Sequence, residues 1–272
     1  APSPTQIAGR RTSDDQLGCT TTVIQLISDL HLSADDPALL DQFRRYAAQL
    51  ESGDELYILG DLFEYWLGDD AVEFLGHLQA ERLLSSISGR GVQLYFLTGN
   101  RDFLLGRSFA DRCGMNLIAD EHILNVGAER ILLMHGDSLC TDDIAHQQFR
   151  TMVRTPSWQE GFLKKSVVER DAMAKLARYR SEDSKAAKTS QIMDVNSTAV
   201  DEVMRAHRVR LLIHGHTHRP AVHEIGPADD CYRIVLGDWG PGPSWIRLNE
   251  TGLELQFGDT RKRLAFRDDL NG

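Results

Sequence analysis

Apolar residues in this chain fall into short unbroken runs separated by longer stretches of helical period. Val23-Ile24-Gln25-Leu26-Ile27 is the first run and predicts a buried strand over 23–28. Leu39, Leu40, Phe43, Tyr46, Ala47 and Leu50 then recur at helical spacing over 37–50, until Ser52-Gly53-Asp54 stops the helix. Glu55-Leu56-Tyr57-Ile58-Leu59 reads as a second strand, 71–88 as a helix, 92–98 as a third strand and 103–113 as another helix. A short strand and an irregular stretch lead into Arg130-Ile131-Leu132-Leu133-Met134. After a helix at 196–207, apolar runs return at 209–213 and 233–236, and 244–248 with 253–257 reads as a closing hairpin. Alternation of strands and helices predicts an α/β fold.

Residues 141–195 break this rhythm. They are helical in pattern, contain no strand-like run, and read as a cap inserted into a core of 23–140 and 196–258. Residues 1–22 are polar and rich in Pro, Ser, Thr, Gln and Gly; they predict a disordered tail and lack the apolar stretch of a signal peptide. The charged end, 259–272, is expected to fray.

Composition narrows the function. With 272 residues and 42% apolar content, the chain can bury a sizeable core. A net charge of -10 argues against a general nucleic-acid binder. Between 150 and 190, however, ten Lys or Arg oppose five Asp or Glu, a local balance of +5. That asymmetry points to an anionic partner at the cap, the alternative being an ordinary solvated helix surface. Cys19, Cys113, Cys140 and Cys231 have no C-x-x-C spacing, which points to a reducing compartment and away from a thiolate metal site. No apolar run approaches the ~18 residues of a spanning helix.

The chemistry sits where the strands end. Asp29 and His31 follow the first strand, and alone they would suit a turn with a helix cap. Yet Asp61, Asn100, His135 and the pair His216 and His218 follow four further apolar strands, most of them beside glycine. Clefts in open α/β sheets lie outside the carboxyl ends of strands, so these seven side chains are expected to converge. Seven nitrogen and oxygen ligands exceed what one catalytic metal needs. They suit two metals ~3.5–4 Å apart with a bridging carboxylate. The donor set accommodates Mn, Fe, Co or Zn.

In order, D-x-H, G-D, G-N-[HR]-[DE], H-G and G-H-x-H resemble the calcineurin-like metallophosphoesterase superfamily over residues 22 to 257. The resemblance implies a sandwich of two mixed β-sheets flanked by helices, with the inserted helical cap. Within the superfamily, SDLHL, GDLFEYWLGDD, GNRDFLLG, HGDSLCTDD, IMDVN and IHGHTHRPAVHE are similar to the UDP-2,3-diacylglucosamine hydrolase family of lipid A biosynthesis. That similarity implies cleavage of the substrate's pyrophosphate to UMP and 2,3-diacylglucosamine 1-phosphate (lipid X), with two Mn2+. It gives one metal to Asp29, His31 and His218, the other to Asn100, His135 and His216, and the bridging position to Asp61. An activated water would attack the α-phosphorus in line. The implied substrate contacts are Asn100, Arg101, Asp143, Ser181, Lys188 and His216, with Lys185 at a position where the family usually has a small polar residue. A monomer with no nucleic-acid partner, bound peripherally at the cytoplasmic face of the inner membrane, is expected.

Arg101 carries an argument of its own. Many superfamily members have histidine after the asparagine, suited to protonating an alkoxide. Arginine stays charged and cannot act as a general acid near neutral pH, but it clamps phosphate oxygens in pairs. A phosphate leaving group, with a second pKa of about 6, needs no such acid. Arg101 therefore favours pyrophosphate cleavage over simple diester hydrolysis. In the cap, Trp158, Phe162, Leu163, Val167, Met173 and Leu176 would either line an acyl-chain groove or pack the cap onto the core. Asp102, Asp137 and Asp238 are positioned to orient ligands, His214 reads as structural, and His77 as exposed. His122, His146, His207 and His223 have no motif partner. Two other functions stay open: a metallophosphoesterase for dinucleoside polyphosphates or cyclic nucleotides, and a non-catalytic module that kept the fold.

Overall fold

The computed structural model describes residues 23–186, 194–226 and 231–266. In chain order its elements begin β1 (Ile24–Ile27), α1 (Pro37–Ala47), β2 (Glu55–Leu59), α2 (Leu78–Gly89), β3 (Gln93–Leu97) and α3 (Arg107–Cys113). There follow β4 (Met115–Leu117), β5 (Glu121–Val126), β6 (Glu129–Met134), α4 (Ile144–Val153), α5 (Pro156–Leu163), α6 (Val167–Ala186) and α7 (Ser197–His207). The chain closes with β7 (Leu211–His214), β8 (Ala221–Ile225), β9 (Cys231–Val235), β10 (Ser244–Asn249), β11 (Gly252–Phe257) and β12 (Thr260–Ala265).

Two mixed sheets result, in the orders β12-β11-β10-β1-β2-β3-β4 and β5-β6-β7-β9-β8. Strand periodicity decides what lies between them, because successive side chains point to opposite faces. Leu26, Tyr57 and Leu59 of the first sheet join Ile131, Leu133, Leu211 and Ile213 of the second in one buried cluster. Their neighbours Ile27 and Ile58 point the other way, against Phe43 of α1, Leu84 of α2 and Phe109 of α3. On the outer face of the second sheet, Leu132 and Leu212 meet Val200 and Met204 of α7. Both faces of the central strands are thus covered, which is why they read as continuous apolar runs.

Several boundaries differ from the sequence reading for local reasons. The helix expected from 71 begins only at Leu78, because Gly76 takes a left-handed φ of 72° and breaks the preceding turns. The helix expected from 103 starts after Gly106 and ends at Gly114 in the left-handed conformation. Part of the end expected to fray forms β12, paired with β11 from Phe257↔Thr260 to Gly252↔Ala265. Its Arg261, Lys262 and Arg263 are exposed, as charges on an edge strand should be, so no apolar face announced it. β8 went unread for the same reason: none of its residues is buried.

The stretch read as a cap carries α4, α5 and α6. Arg170 of α6, 2% exposed, donates to the Leu67 carbonyl and pairs with Asp70 at 2.8 Å. Phe162 is buried against the core, with Trp158 stacked on it at 4.9 Å and Val167 packed nearby. Leu163, Met173 and Leu176 are exposed. The six apolar cap residues therefore divide evenly between packing and solvent. Truncating the inter-sheet core is expected to cost far more than truncating the cap. Leu26→Ala should lower unfolding stability by about 2–5 kcal/mol, read by urea denaturation, since no rearrangement refills a site between two sheets.

Candidate metal centre

Each predicted ligand follows the carboxyl end of a strand: Asp29 after β1, Asp61 after β2, Asn100 after β3, His135 after β6, and His216 and His218 after β7. Main-chain bonds continue past the strands and fix these ends to one another. The Asp29 N–H donates to Gly60 O at 3.1 Å, the His31 N–H to Asp61 O at 3.0 Å and the Gly215 N–H to His135 O at 2.9 Å. Asp29, His31, Asp61, His216 and His218 all have left-handed φ, between 49° and 65°. Among the described residues only one other non-glycine residue, Arg208, does so. This conformation is uncommon for residues with a side chain, and it concentrates here where five side chains are turned inward. Gly99 and Gly215 serve differently. A Cβ on Gly99 would collide with the Asp61 carboxylate, and one on Gly215 with that of Asp29.

The side chains then meet. Nε2 of His31 and Nε2 of His218 face each other at 3.2 Å, and lie 3.9 and 3.3 Å from Asp29 Oδ1. The other oxygen, Asp29 Oδ2, accepts from Ser28 Oγ at 2.5 Å and from the His216 N–H at 2.9 Å. Oδ1 is buried and has no hydrogen-bond partner. A buried carboxylate oxygen without a donor is costly, and two imidazole nitrogens aimed at the same point fit a cation there. His135 donates from Nδ1 to Leu59 O at 2.9 Å, which turns Nε2 toward Asn100 Oδ1 at 3.0 Å and Asp61 Oδ1 at 3.6 Å. Its ring centroid is 5.1 Å from that of His216. Ligand atoms of Asp29, His31 and His218 lie within 4.8 Å of one another, as do those of Asp29, Asp61 and His135. The structure thus gathers all seven predicted ligands, with Asp29 reaching both groups. The mixed nitrogen and oxygen donors fit divalent metals of the first transition row.

Charge in the cluster is arranged to match. Burial alone would raise the Asp29 carboxyl, yet the His218 imidazole 3.3 Å away and the charge of His135 hold it well below the usual carboxylate range. Burial would lower His135, but the carboxylates of Asp61, Asp29 and Asp137 outweigh it and raise the imidazole to about 9. Burial, followed by the neighbouring His135 charge, pushes His216 well below its ordinary value.

Surrounding residues hold the loops. Asp102 is fully buried and accepts four main-chain N–H groups: Gly99 at 2.8 Å and Asp61 at 3.3 Å on Oδ1, Leu62 at 2.7 Å and Phe63 at 3.4 Å on Oδ2. It ties the loop after β2 to the loop after β3. The Arg101 N–H donates to Asp61 Oδ1 at 2.8 Å. Asp137 pairs with Arg150 of α4 at 2.7 Å, and Asp238 Oδ1 is 3.9 Å from Nδ1 of His218. His214 is buried, its Nδ1 2.8 Å from Gly215 O, and burial followed by the Arg233 charge lowers it to about 3.

Other sequence readings change. His77 is buried, 5% exposed, and lies against the rings of Phe63 and Trp66. Asp143 caps α4 by accepting the His146 N–H at 3.1 Å. Ser181 and Lys185 fall on α6 with side chains beyond the described ones, and Lys188 lies outside the described residues. The excess positive charge of the cap is partly spent inside the protein. Arg150, Arg154, Arg170 and Arg178 pair with Asp137, Asp120, Asp70 and Glu64 of the core. Sequence reading missed two residues here. His146 stacks on His216 at 5.5 Å, and Glu64 stands 2.9 Å from Nδ1 of His31. Only Glu64's place in the block Gly60-Asp61-Leu62-Phe63-Glu64 hinted at it.

Comparison with known proteins identifies the family. The family model described as calcineurin-like phosphoesterase matches residues 23–220. A protein of Escherichia coli O7:K1 named UDP-2,3-diacylglucosamine hydrolase is 46% identical over 231 residues, covering 84% of this chain and 96% of that one. The protein of the same name from Serratia proteamaculans is also 46% identical, with the same coverage. Among solved structures, a dimetal phosphatase from Danio rerio aligns at 13% identity and a TM-score of 0.46, over 91% of this chain and 99% of that one.

Asp102→Asn replaces acceptor oxygen with an amide that cannot receive all four N–H groups. It should cost about 2–4 kcal/mol of stability, measured by chemical denaturation. Cation binding at His135 must displace a proton from a group with pKa about 9. Metal affinity should therefore fall as pH drops below that value. Calorimetric titration with Mn2+ in buffers of different ionisation enthalpy near neutral pH should register net proton release.

Proposed function

This chain belongs to the calcineurin-like phosphoesterase family, and on that premise we propose that it hydrolyses the pyrophosphate bond of UDP-2,3-diacylglucosamine to UMP and 2,3-diacylglucosamine 1-phosphate. One observation carries the reading: Asp29, His31, Asp61, His135 and His218 converge, with the Arg101 N–H on Asp61, in a chain 46% identical to relatives named for this hydrolysis. A step in lipid A biosynthesis follows from that substrate.

In this reading Asp29, His31 and His218 would hold one divalent cation and Asn100, His135 and His216 a second, with Asp61 available to both. Manganese is the metal we assign, and the donor set suits it. Bound cations of this kind supply Lewis acidity toward phosphoryl oxygens and toward a water. The protein supplies the rest. Asp61 is fixed by the Arg101 N–H, and its loop by Asp102, so its carboxylate does not reorganise during the reaction. The Arg101 side chain, half-buried at the same edge, clamps the pyrophosphate oxygens. It donates no proton, and the departing phosphate requires none. Asp143, Ser181, Lys185 and Lys188 join Asn100, Arg101 and His216 as substrate contacts.

The substrate is a lipid, and no helix among the described residues is long and apolar enough to cross a membrane. Peripheral binding at the cytoplasmic face of the inner membrane answers this. Exposed Leu163 and Val168 flank exposed Lys164 and Lys165 where α5 meets α6, a combination suited to an anionic bilayer. The protein acts there as a monomer without nucleic acid.

Asp61→Ala should abolish UMP release from the diacyl UDP-sugar at saturating Mn2+. Arg101→Ala should lower kcat/KM by about 10²–10³, as loss of one charge-stabilising donor typically does. A preference for bis(p-nitrophenyl) phosphate over the lipid substrate would contradict the reading. Changing Lys164 and Lys165 to Glu should weaken binding to anionic liposomes, measured by sedimentation.

A further inference from the structure

Glu64 is not among the ligands, yet it stands midway in a line of charges from the metal centre to the cap. Its Oε2 is 2.9 Å from Nδ1 of His31. Its Oε1 pairs with Nη2 of Arg178 on α6 and lies 3.7 Å from Nη1 of Arg101. The backbone at this point is fixed, because the Glu64 N–H donates to Leu32 O at 3.1 Å and ties the loop after β2 to the loop after β1. The next residue, Tyr65, also reaches α6. Its hydroxyl donates to Asp171 at 3.1 Å, and its ring lies 5.2 Å from the Arg178 guanidinium carbon. Both residues therefore grip the cap helix, and Glu64 also touches a predicted ligand.

Each contact has a direct physical effect. A carboxylate set against one imidazole nitrogen restrains the ring and makes the other nitrogen a better ligand. His31 uses Nδ1 for Glu64 and turns Nε2 toward His218. A carboxylate left without Arg178 would keep its charge but lose the partner that holds its rotamer. Linkage makes the effect reciprocal: whatever α6 does for His31, a cation on His31 does for α6.

We propose that Glu64 is a positioning residue that couples cap docking to cation binding, orienting His31 with one oxygen and latching α6 through Arg178 with the other. The inference rests on the metal-centre reading of His31 and is independent of which phosphoester is cleaved. Glu64→Gln keeps the shape but removes the charge that faces both His31 and Arg178. Arg178→Ala removes the latch without touching the ligands.

The test uses the full chain, Mn2+ alone and no substrate. Mn2+ dissociation constants are measured by calorimetry, and amide hydrogen exchange is followed over 167–179 with and without Mn2+. In the unaltered protein, Mn2+ should slow exchange in this segment. Glu64→Gln should weaken Mn2+ binding about tenfold, within the range seen when such supporting carboxylates are lost, and exchange in the segment should no longer respond to the metal. Arg178→Ala should weaken Mn2+ binding several-fold, and Arg178→Lys should restore part of it. Unaltered Mn2+ affinity in Arg178→Ala, or an undiminished metal response of α6 in Glu64→Gln, overturns the coupling. Failure of the unaltered protein to bind Mn2+ overturns the metal-centre reading and the coupling with it.

Discussion

A buried carboxylate oxygen with no donor organises this protein. Asp29 Oδ1 lies beside the ring nitrogens of His31 and His218, and those nitrogens face each other at 3.2 Å. Without a cation the arrangement is a desolvated charge among groups that must hold protons to satisfy it. With one, every atom has a purpose. The left-handed backbone at five ligands, the glycines that let loops approach two carboxylates, and the four N–H groups spent on Asp102 all serve that convergence. Each is unfavourable or restrictive alone, and together they hold the geometry before any ligand arrives.

The cap belongs to the same electrostatic design. Its arginines reach core acids that flank the metal loops: Arg150 to Asp137 two residues past His135, Arg178 to Glu64 three residues past Asp61. Positive charge that would suit an anionic substrate thus also anchors the cap, and only exposed groups such as Lys164 and Lys165 remain for an outside partner.

Much of this was legible in the sequence. Apolar runs covered on both faces betray themselves, so β1, β2, β3, β6 and β7 could be read, and the candidate ligands follow from asking what terminates each run. β12 and β8 could not be read, because edge strands need no buried face. The burial of His77 against Phe63 and Trp66 is a tertiary contact that helical periodicity does not encode. Glu64 was hidden for a similar reason. Its partners lie 33 residues before it and 114 after it, and only the fold brings them together.

The central claim is that two cations share this cluster. Electron paramagnetic resonance of the protein saturated with Mn2+ tests it most directly. Two ions held side by side in this cluster should give the broadened, exchange-coupled signal of a dimanganese pair. The hyperfine spectrum of isolated Mn2+, persisting at saturation, would contradict the account.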